Sequence, residues 1–351
     1  MNHKPTPSRD ALLAWYGKDH RALPWRPPPG RLAAPYPALV SEIMLQQTTV
    51  ATVLGRFGPF IDRFPGFGAL ASAPIDDVLH AWQGLGYYRR ARGLHACAGA
   101  IQSRHGGDLP ESVDMLRALP GIGEYTANAL AAMVHGQPAL GVDGNVRRVI
   151  ARLFAIDVPV CEAGPAIADR ARGFVDADRP GDFQQAIMEL GATVCRPGKP
   201  KCGSCPWQTV CVAHQEGLET TLPIKNQRRA KPVKYAWAFY LRRPDGTVLF
   251  RRRPDQGLLA GMIELPSSPW QSEPVTFDEA LKQAPAASGW TPLEPVIRHV
   301  FTHFEIRFRL AIGTGNVAIE GIWATDRDRS QLALPTLTRK MLDLAGRHES
   351  L

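Results

Sequence analysis

The stretch Leu119-Pro-Gly-Ile-Gly-Glu-Tyr-Thr-Ala127 decides the fold of the first part of this chain. It separates two runs in which apolar residues recur every three or four positions, the spacing of amphipathic helices. Gly121 and Gly123 carry no side chain, so backbone N–H groups beside them can approach a ligand closely. Because those donors open a helix, a phosphate is favoured there. The stretch therefore predicts either a phosphate-binding helix-hairpin-helix or an ordinary helix connection.

Helical periodicity extends on both sides of this hairpin, from residue 9 to about residue 215. From Lys234 the period changes to two, and alternating runs at 235–241 and 248–250 flank a turn at 244–247, which predicts a β-hairpin. An all-α N-terminal fold followed by an α/β C-terminal fold is therefore expected. The helices are predicted over residues 9–16, 37–46, 49–64, 76–85, 90–105, 112–119, 126–135, 146–154 and 183–193.

The segment between the two folds resembles a basic linker. Lys225 to Lys234 contains five Lys or Arg residues and no acid. Such a segment is either a solvated tether or a basic tether that lies along phosphate groups.

Net charge and hydropathy limit the possible functions of the chain but do not identify one. The 351 residues include 41 Lys or Arg and 33 Asp or Glu, a formal net charge of +8, which favours a polyanionic partner. Residues 1–8 lack the apolar core of a signal peptide, and no later stretch is apolar enough to span a bilayer. We therefore expect a cytoplasmic protein with no membrane partner.

Four of the six cysteines follow the spacing C-x6-C-x2-C-x5-C. In a reducing compartment this grouping predicts a metal site rather than disulfides. Zinc ribbons usually carry two C-x2-C pairs and this loop has one, so the spacing favours iron–sulfur while leaving zinc open. Cys97 and Cys161 stand alone and are expected to be inert packing residues. The metal ligands are predicted to be Cys195, Cys202, Cys205 and Cys211.

The first two of these cysteines enclose Arg196, Lys199 and Lys201 without an acid between them. The metal loop therefore carries positive charge, and contact with phosphate groups is its expected use.

Two acidic residues lie in sequence contexts that suit catalysis, one as a proton donor and one as an ionised carboxylate. Glu42 lies in an apolar helical run, where burial would raise its pKa and keep a proton available. A surface or ion-paired acid is the alternative. Asp143 begins a helix at Asp-Gly-Asn, so it is expected to cap that helix and to remain ionised.

The hairpin, then Val142-Asp-Gly-Asn-Val-Arg-Arg148, then the cysteine loop resembles the endonuclease III and MutY superfamily of DNA glycosylases over residues 9 to about 215. Val40-Ser-Glu-Ile-Met-Leu-Gln-Gln-Thr48 and Gly84-Leu-Gly-Tyr-Tyr88 are similar to its MutY branch, which removes adenine paired with 8-oxoguanine. The resemblance implies a [4Fe-4S] cluster, base flipping, and double-stranded DNA with A:8-oxoguanine or A:G mispairs as the partner of a monomeric enzyme.

The resemblance also implies roles for the acidic residues. Glu42 would protonate the departing adenine and then activate water, while Asp143 stabilises an oxocarbenium-like sugar. The lyase branch has a nucleophilic lysine two residues after the second hairpin glycine, where this chain has Tyr125. Hydrolysis without an efficient lyase step is therefore expected, with Tyr125 supporting Asp143 or the sugar and Asn145 as a further polar contact.

Further residues are assigned by resemblance alone. Gln47 and Tyr87 would be wedged into the duplex. Trp25 could equally be a core aromatic. The adenine pocket would be formed by Arg21, Trp25, Arg26, Leu45 and Glu189.

The C-terminal part is similar to the Nudix-like 8-oxoguanine-recognition domain of the MutY branch. The matching stretches are 257–266 and His299-Val-Phe-Thr-His303. The family's Phe-Ser-His is Phe301-Thr302-His303 here, which retains a hydroxyl for the oxidised base; a core role for His303 is the alternative. No acidic helix with the Nudix magnesium ligands follows Glu264, so binding without hydrolysis is expected.

The implied domains are a catalytic domain at 1–217, a basic linker at 218–233 and a Nudix-like domain at 234–351. The catalytic domain would divide into a six-helix lobe at about 28–136 and a cluster lobe from 1–27 and 137–217. A bifunctional pyrimidine-damage glycosylase/lyase and a non-catalytic metal-containing DNA-binding module are the competing functions. Tyr125 and the C-terminal domain oppose the first, and Glu42 would be unexplained in the second.

Overall fold

The computed structural model describes residues 7–174, 176–224, 230–286, 289–329 and 331–349. The central part of the predicted linker, residues 225–229, lies outside the described residues, so three of its five basic residues do too. None of the described helices is long and apolar enough to cross a membrane.

Helices form the described chain up to residue 224. They are α1 (Arg9–Asp19), α2 (Pro35–Leu45), α3 (Val50–Arg63), α4 (Phe67–Ser72), α5 (Ile75–Ala81), α6 (Arg89–His105), α7 (Val113–Arg117), α8 (Glu124–His135), α9 (Gly144–Leu153), α10 (Gly164–Arg172), α11 (Pro180–Thr193) and α12 (Val212–Gln215).

Three of these helices, α4, α10 and the four-residue α12, were not predicted, and one predicted helix ends four residues early. The helix α4 has only six residues, too few to show a periodicity, and α10 begins at a Gly-Pro pair. The helix expected over 76–85 ends at Ala81 because Gly84 and Gly86 both adopt positive φ angles, which a helix cannot accommodate.

The hairpin connects α7 to α8 as predicted. Gly121 has a φ of +77°, and a Cβ there would lie 3.3 Å from the Cα of Gly93 on α6. Only glycine meets both the conformation and the close approach at this position. The helix α8 then starts at the exposed Gly123, which is its N-cap.

The core of this helical part is organised around α11. Most of α11 is buried, including polar Gln184 and Glu189, and the helix packs against α1, α8 and α9. A helix apolar on one face would bury only a stripe, so burial on every side places α11 at the centre. Its polar residues must therefore find partners inside the protein.

Strands dominate the chain from residue 230 onward. They are β1 (Val233–Arg242), β2 (Val248–Arg252), β3 (Ile263–Glu264), β4 (Thr291–Pro292), β5 (Ile297–Val300), β6 (Glu305–Thr314) and β7 (Ile322–Ala324). The helices are α13 (Phe277–Leu281), α14 (Asp326–Arg329) and α15 (Thr336–Glu349).

The sheet is mixed, with β1 at its centre. The strand β1 pairs in parallel with β6 over ten positions and antiparallel with β2, which confirms the predicted hairpin. Further antiparallel pairs join β2 to β3 and β7, and β6 to β4 and β5. The larger apolar core lies between the sheet and α15, and a smaller one lies between Trp237, Phe239 and α13. The predicted fold class, all-α followed by α/β, is confirmed.

Contacts divide the chain into one compact unit of Met1–Ser72 and Gly93–Arg228 and a second of Ala73–Arg92 and Arg229–Leu351, for the residues that the structure describes. Segment 73–92 thus belongs with the C-terminal sheet. The ion pair Arg252–Asp76 (2.8 Å) and a 2.7 Å bond from Gln83 Nε2 to the Leu332 carbonyl are among its contacts. The predicted boundaries at 217 and 234 placed this segment in the catalytic domain, and they stay a prediction.

Candidate active site and metal centre

Glu42 is a buried carboxyl group on α2. Its residue is 5% exposed, and its Oε2 accepts a 2.7 Å hydrogen bond from the hydroxyl of Tyr125. Burial raises the pKa of Glu42 to about 7, and the charge of Asp143 raises it as well, whereas the Tyr125 hydrogen bond and the charge of Arg26 lower it. The predicted burial and raised pKa are confirmed, and the surface-acid alternative is wrong. This carboxyl group can give and take a proton near neutral pH.

Tyr125 lies in the first turn of α8, directly after the hairpin. Burial raises the pKa of its phenol well above the usual value, and the charges of Glu42 and Asp143 raise it further. The phenol therefore remains protonated and acts as the donor to Glu42. It was expected beside Asp143 or the sugar, but the hydrogen bond that the structure places on it goes to Glu42.

Asp143 caps α9, as predicted. Its Oδ1 accepts a 2.7 Å bond from Val146 N, and its Oδ2 accepts a 2.8 Å bond from Asn145 Nδ2. Burial raises the pKa of Asp143, while these hydrogen bonds and the charge of Arg148 oppose that rise. Burial is the largest of these effects, so the pKa of Asp143 lies above its usual value although two donors and a nearby cation stabilise the ionised form.

The helix α11 holds the backbone that leads to Asp143. Gln184 exchanges hydrogen bonds with Gly141, donating to its carbonyl and accepting from its N–H at 2.6 Å. One turn further, Met188 Sδ lies 3.6 Å from the Tyr125 hydroxyl. The buried polar residue of α11 therefore fixes the approach to Asp143, and its neighbour packs under Tyr125.

Two further residues join the site to the cysteine loop. A Cβ on Gly191 would lie 2.7 Å from Asn145 Cβ, so the close packing of α11 on α9 depends on that glycine. Arg148 donates to Asn145 Oδ1 (2.8 Å), to the Gly191 carbonyl (2.7 Å) and to the Cys195 carbonyl (2.7 Å). The guanidinium group thereby connects the Asp143 cap to the first predicted metal ligand.

The predicted adenine-pocket residues include a buried ion-pair cluster. Glu189, 1% exposed, accepts bonds from Arg21 Nε at 2.6 Å and Arg26 Nη2 at 2.9 Å. Trp25 is half-buried with its edge against Phe57, at a centroid distance of 5.1 Å, and Leu45 is half-buried at the end of α2. Glu189 thus holds the two arginines in place, and the charge of Arg26 reaches Glu42.

The two predicted wedge residues share an unusual backbone. Gln47 has a φ of +57° and is exposed, and Tyr87 has a φ of +46° and is 48% exposed. Non-glycine residues in this region are strained, and such strain is concentrated at functional positions. Tyr87 rests on Arg90, whose Cζ lies 5.5 Å from its ring centroid.

The four predicted metal ligands lie together in the loop after α11. They line one cavity with Arg152 and Trp207. Arg152 is 2% exposed and donates to Cys195 Sγ (3.3 Å) and to backbone carbonyls, and among the described residues no carboxylate pairs with it. A buried cation needs a compensating anion, which a metal–thiolate centre supplies.

The sulfur atoms stand further apart than a zinc ion would place them. Zn–S bonds of about 2.3 Å put the sulfurs of a tetrahedral site roughly 3.8 Å from one another. Within the part of the chain that the structure describes, the one set of three ligand atoms all within 4.8 Å is Cys202, His214 and Glu219, so no three of the four sulfurs meet that distance. The sulfurs of the described loop are therefore not gathered as four ligands of a single zinc ion would be.

The remaining two cysteines and the three cations of the cysteine loop differ in their exposure to solvent. Cys97 is buried as expected, but Cys161 is exposed, so its prediction as a packing residue is wrong. Arg196, Lys199 and Lys201 are all exposed on the cysteine loop.

In the second unit, Phe301, Thr302 and His303 form the turn between β5 and β6. Phe301 is anchored against Trp270, with ring centroids 6.0 Å apart, while Thr302 and His303 are exposed. The core alternative for His303 is therefore wrong. Thr302 Oγ1 lies 2.9 Å from the hydroxyl of Tyr87, which belongs to the same unit.

Glu264 lies beside two cations. Its carboxylate accepts from Arg251 Nε at 2.9 Å and from Arg253 Nη1 at 2.6 Å. Both of its oxygens are thus committed to arginines.

Comparisons with known proteins identify both parts of the chain. Residues 40–159 match the HhH-GPD superfamily base excision DNA repair protein model, and residues 237–344 match the NUDIX domain model. The adenine DNA glycosylase of Rattus norvegicus is 33% identical over 409 residues, covering 98% of this chain and 78% of the rat protein. The chain belongs to the adenine DNA glycosylase family. The predicted superfamily and fold class are confirmed, as is the prediction of a DNA glycosylase, a hydrolase.

Other comparisons support this adenine DNA glycosylase assignment. The adenine DNA glycosylase of Mycobacterium tuberculosis (strain ATCC 25618 / H37Rv) is 44% identical over 199 residues, covering 56% of this chain and 64% of that protein. The solved structure of a thermostable thymine-DNA glycosylase is 27% identical with a TM-score of 0.53, covering 59% of this chain and 95% of that chain. The helical fold is therefore shared with glycosylases that act on another base.

Several residues that support the candidate site were not predicted. Gln184, Met188, Gly191 and Arg152 stand out only once α11 and α9 are packed together, although a glutamine in an apolar helix is a sequence signal. His214 was not predicted either, although the spacing Cys211-x2-His214 in the sequence indicates a possible metal ligand.

Replacing Glu42 by Gln is expected to stabilise the protein at alkaline pH. The folded pKa of about 7 exceeds the usual 4.5, so between these values the folded state holds a proton that the unfolded chain has lost. The parent therefore loses stability as pH rises through this window, by a total on the order of 3 kcal/mol, whereas the amide of the variant does not titrate. Denaturant unfolding at about pH 5 and pH 8.5 measures this difference.

The matched control is Glu124→Gln, which changes an exposed acid at the start of α8. Its stability relative to the parent should not depend on pH in this way. Equal stability of the parent and Glu42→Gln at both pH values would contradict the raised pKa.

Proposed function

We propose that this family member hydrolyses the N-glycosidic bond of adenine paired with 8-oxoguanine, or with guanine, in duplex DNA, and that it does so as a monomer without efficient lyase activity. The observation that carries the proposal is the buried Glu42 carboxyl group with a pKa of about 7, held by Tyr125 and close to the hydrogen-bonded Asp143. Two carboxyl groups in such different environments suit an acid and an ionised partner.

Glu42 is the proposed general acid. Its raised pKa leaves it partly protonated at neutral pH, so it can protonate the departing adenine, and its carboxylate can then activate the attacking water. Tyr125 orients the carboxyl group through the 2.7 Å hydrogen bond and itself transfers no proton.

Asp143 is the proposed electrostatic partner. The donors Val146 N and Asn145 Nδ2 hold its carboxylate in one orientation. A fixed negative charge stabilises the oxocarbenium-like sugar as the base departs. Arg148 positions this assembly through Asn145 and takes no part in bond making.

Access to the buried acid requires the adenine to leave the duplex. Gln47 and Tyr87, exposed on strained backbone, are the proposed groups that fill the space. Arg21, Trp25, Arg26, Leu45 and Glu189 are proposed to form the receiving pocket, in which the buried Glu189 fixes Arg26 near Glu42.

DNA phosphates would be bound at two places on the helical unit. The hairpin offers backbone donors at Gly121 and Gly123, where α8 begins. The cysteine loop offers three exposed cations, Arg196, Lys199 and Lys201.

The four cysteines are proposed to hold a [4Fe-4S] cluster. Their sulfurs are spread more widely than a zinc tetrahedron, and the buried Arg152 lies beside Cys195 without a carboxylate partner among the described residues. Both observations fit a larger anionic centre held by thiolates. When bound, the cluster would supply a fixed scaffold for the basic loop, and the proposed hydrolysis does not depend on it for chemistry.

The second unit is proposed to recognise the oxidised base without hydrolysing a nucleotide. Thr302 and His303 are exposed on the β5–β6 turn, and the Thr302 hydroxyl already faces Tyr87. Glu264 is paired with two arginines, which leaves it poorly suited to bind magnesium.

The proposed substrate is tested by adenine release from duplexes that hold A opposite 8-oxoguanine, opposite G and opposite T. We expect release from the first two, fastest opposite 8-oxoguanine, and a fall of about 100-fold or more in Glu42→Gln. A C·G duplex is the substrate control. Equal release from all three A-containing duplexes, or full activity of Glu42→Gln, would overturn the proposal.

Borohydride trapping on an abasic duplex separates hydrolysis from lyase chemistry. The parent should form little covalent adduct because position 125 holds a phenol instead of an amine. Tyr125→Lys is the positive control and should trap. Efficient adduct formation by the parent would support the bifunctional alternative.

Thr302→Val should lower the preference for 8-oxoguanine over guanine by roughly tenfold, the effect of losing one hydrogen bond. If Tyr87 orients that hydroxyl, Tyr87→Phe should lower the same ratio, and the double variant should lose no more than Thr302→Val alone. The binding affinities for the two mispairs provide the ratio. Thr302→Ser and the exposed Thr291→Val are controls that should keep it, and an unchanged ratio in Thr302→Val would refute this role.

A further inference from the structure

One corner of the predicted metal site contains possible metal-ligand atoms in addition to the four cysteine sulfurs. A ring nitrogen of His214 and a carboxylate oxygen of Glu219 lie within 4.8 Å of each other and of Cys202 Sγ. All three residues are partly exposed and line the cysteine cavity. Among the described residues, no other set of three ligand atoms within 4.8 Å includes one of the other three cysteines.

Two of these residues each have a side-chain atom that is buried without a partner. His214 Nδ1 and Glu219 Oε2 are inaccessible to solvent and make no hydrogen bond to any described residue. Burying such atoms unpaired is unfavourable, so each points to a ligand that completes it. The other ring nitrogen, His214 Nε2, lies 3.1 Å from Gln208 Nε2.

The local fold explains why His214 reaches this corner. Cys211 is the N-cap of the short helix α12, and His214 follows it on the same turn. Together with Cys202-x2-Cys205, this creates the pattern C-x2-C-x5-C-x2-H, whose Cys/His composition and paired spacing are typical of metal sites. The chain therefore carries five soft or borderline donors around a site that needs four.

We propose that His214 is a reserve ligand, able to take the place of Cys202 on the metal centre through its unpartnered ring nitrogen. This inference rests on the proposed iron–sulfur cluster. Imidazole is an accepted substitute for thiolate on iron, as in centres where two histidines replace two cysteines. For Nδ1 to bind the metal, Nε2 must carry the ring proton, so the Gln208 amide would turn its oxygen toward Nε2 and accept a hydrogen bond that orients the imidazole.

The chemistry of the exchange is simple. In the exchange, one iron–nitrogen bond to neutral His214 would replace one iron–sulfur bond to Cys202, so the centre would become one unit less negative and no oxidant would be required. Partial exposure of Cys202 would let its released thiolate take a proton from solvent.

The test compares iron and acid-labile sulfide per chain after anaerobic purification. Cys202→Ala should keep at least about half of the parent's content, whereas Cys202→Ala/His214→Ala should fall below about a tenth. Cys205→Ala is the matched control, because Cys205 belongs to no such set of three ligand atoms among the described residues, and it should also fall below about a tenth. Pulsed EPR of 15N-histidine-labelled Cys202→Ala should show a nitrogen coupling that the parent lacks.

Loss of the centre in Cys202→Ala to the level of Cys205→Ala would overturn the proposal, as would equal retention with and without His214. If Cys202→Ala does not fold, the double variant Cys202→Ala/His214→Cys provides the test. A thiolate at position 214 should restore iron and sulfide to the parent level. Failure to do so would exclude position 214 as a ligand position. A parent without iron and sulfide would instead refute the proposed cluster itself.

Discussion

The hydrogen bond from the Tyr125 hydroxyl to Glu42 is the interaction on which the site depends. It joins a carboxyl group inside an apolar helix to the residue that follows the hairpin, at 2.7 Å. Desolvation and this donor act in opposite directions on Glu42, and desolvation is the larger effect, so the pKa settles near 7. Ionisation of this buried carboxyl group opposes folding at neutral pH, because its pKa is higher in the folded state than in the unfolded chain.

The rest of the helical unit can be understood as support for that pair and for Asp143. The central helix α11 supplies Gln184 to the Asp143 approach, Glu189 to the arginines and Gly191 to the close packing of α9. Arg148 then links the Asp143 cap to the cysteine loop through backbone carbonyls. A metal centre in that loop would therefore stabilise the geometry of the site without contacting the base. Its contribution would be to hold the site residues in position.

Much of this could be predicted from local patterns. The hairpin glycines, the Asp143 cap and the burial of Glu42 each follow from a few adjacent residues, and the structure places them accordingly. The partner of Tyr125, the bridging role of Arg148 and the donors near Cys202 depend on packing between distant segments, which no local spacing encodes. The same holds for segment 73–92, whose affiliation with the C-terminal sheet rests on Arg252–Asp76 and other long-range contacts.

The most direct test of the central claim is the pH dependence of single-turnover adenine release by the parent and Tyr125→Phe. The parent rate should decline as pH rises through about 7, because Glu42 loses the proton that the leaving base requires. Removing the Tyr125 donor removes a contribution that lowers the pKa, so the decline in Tyr125→Phe should move to higher pH. A parent rate that does not change through this range, or a decline at the same pH in both proteins, would contradict the account.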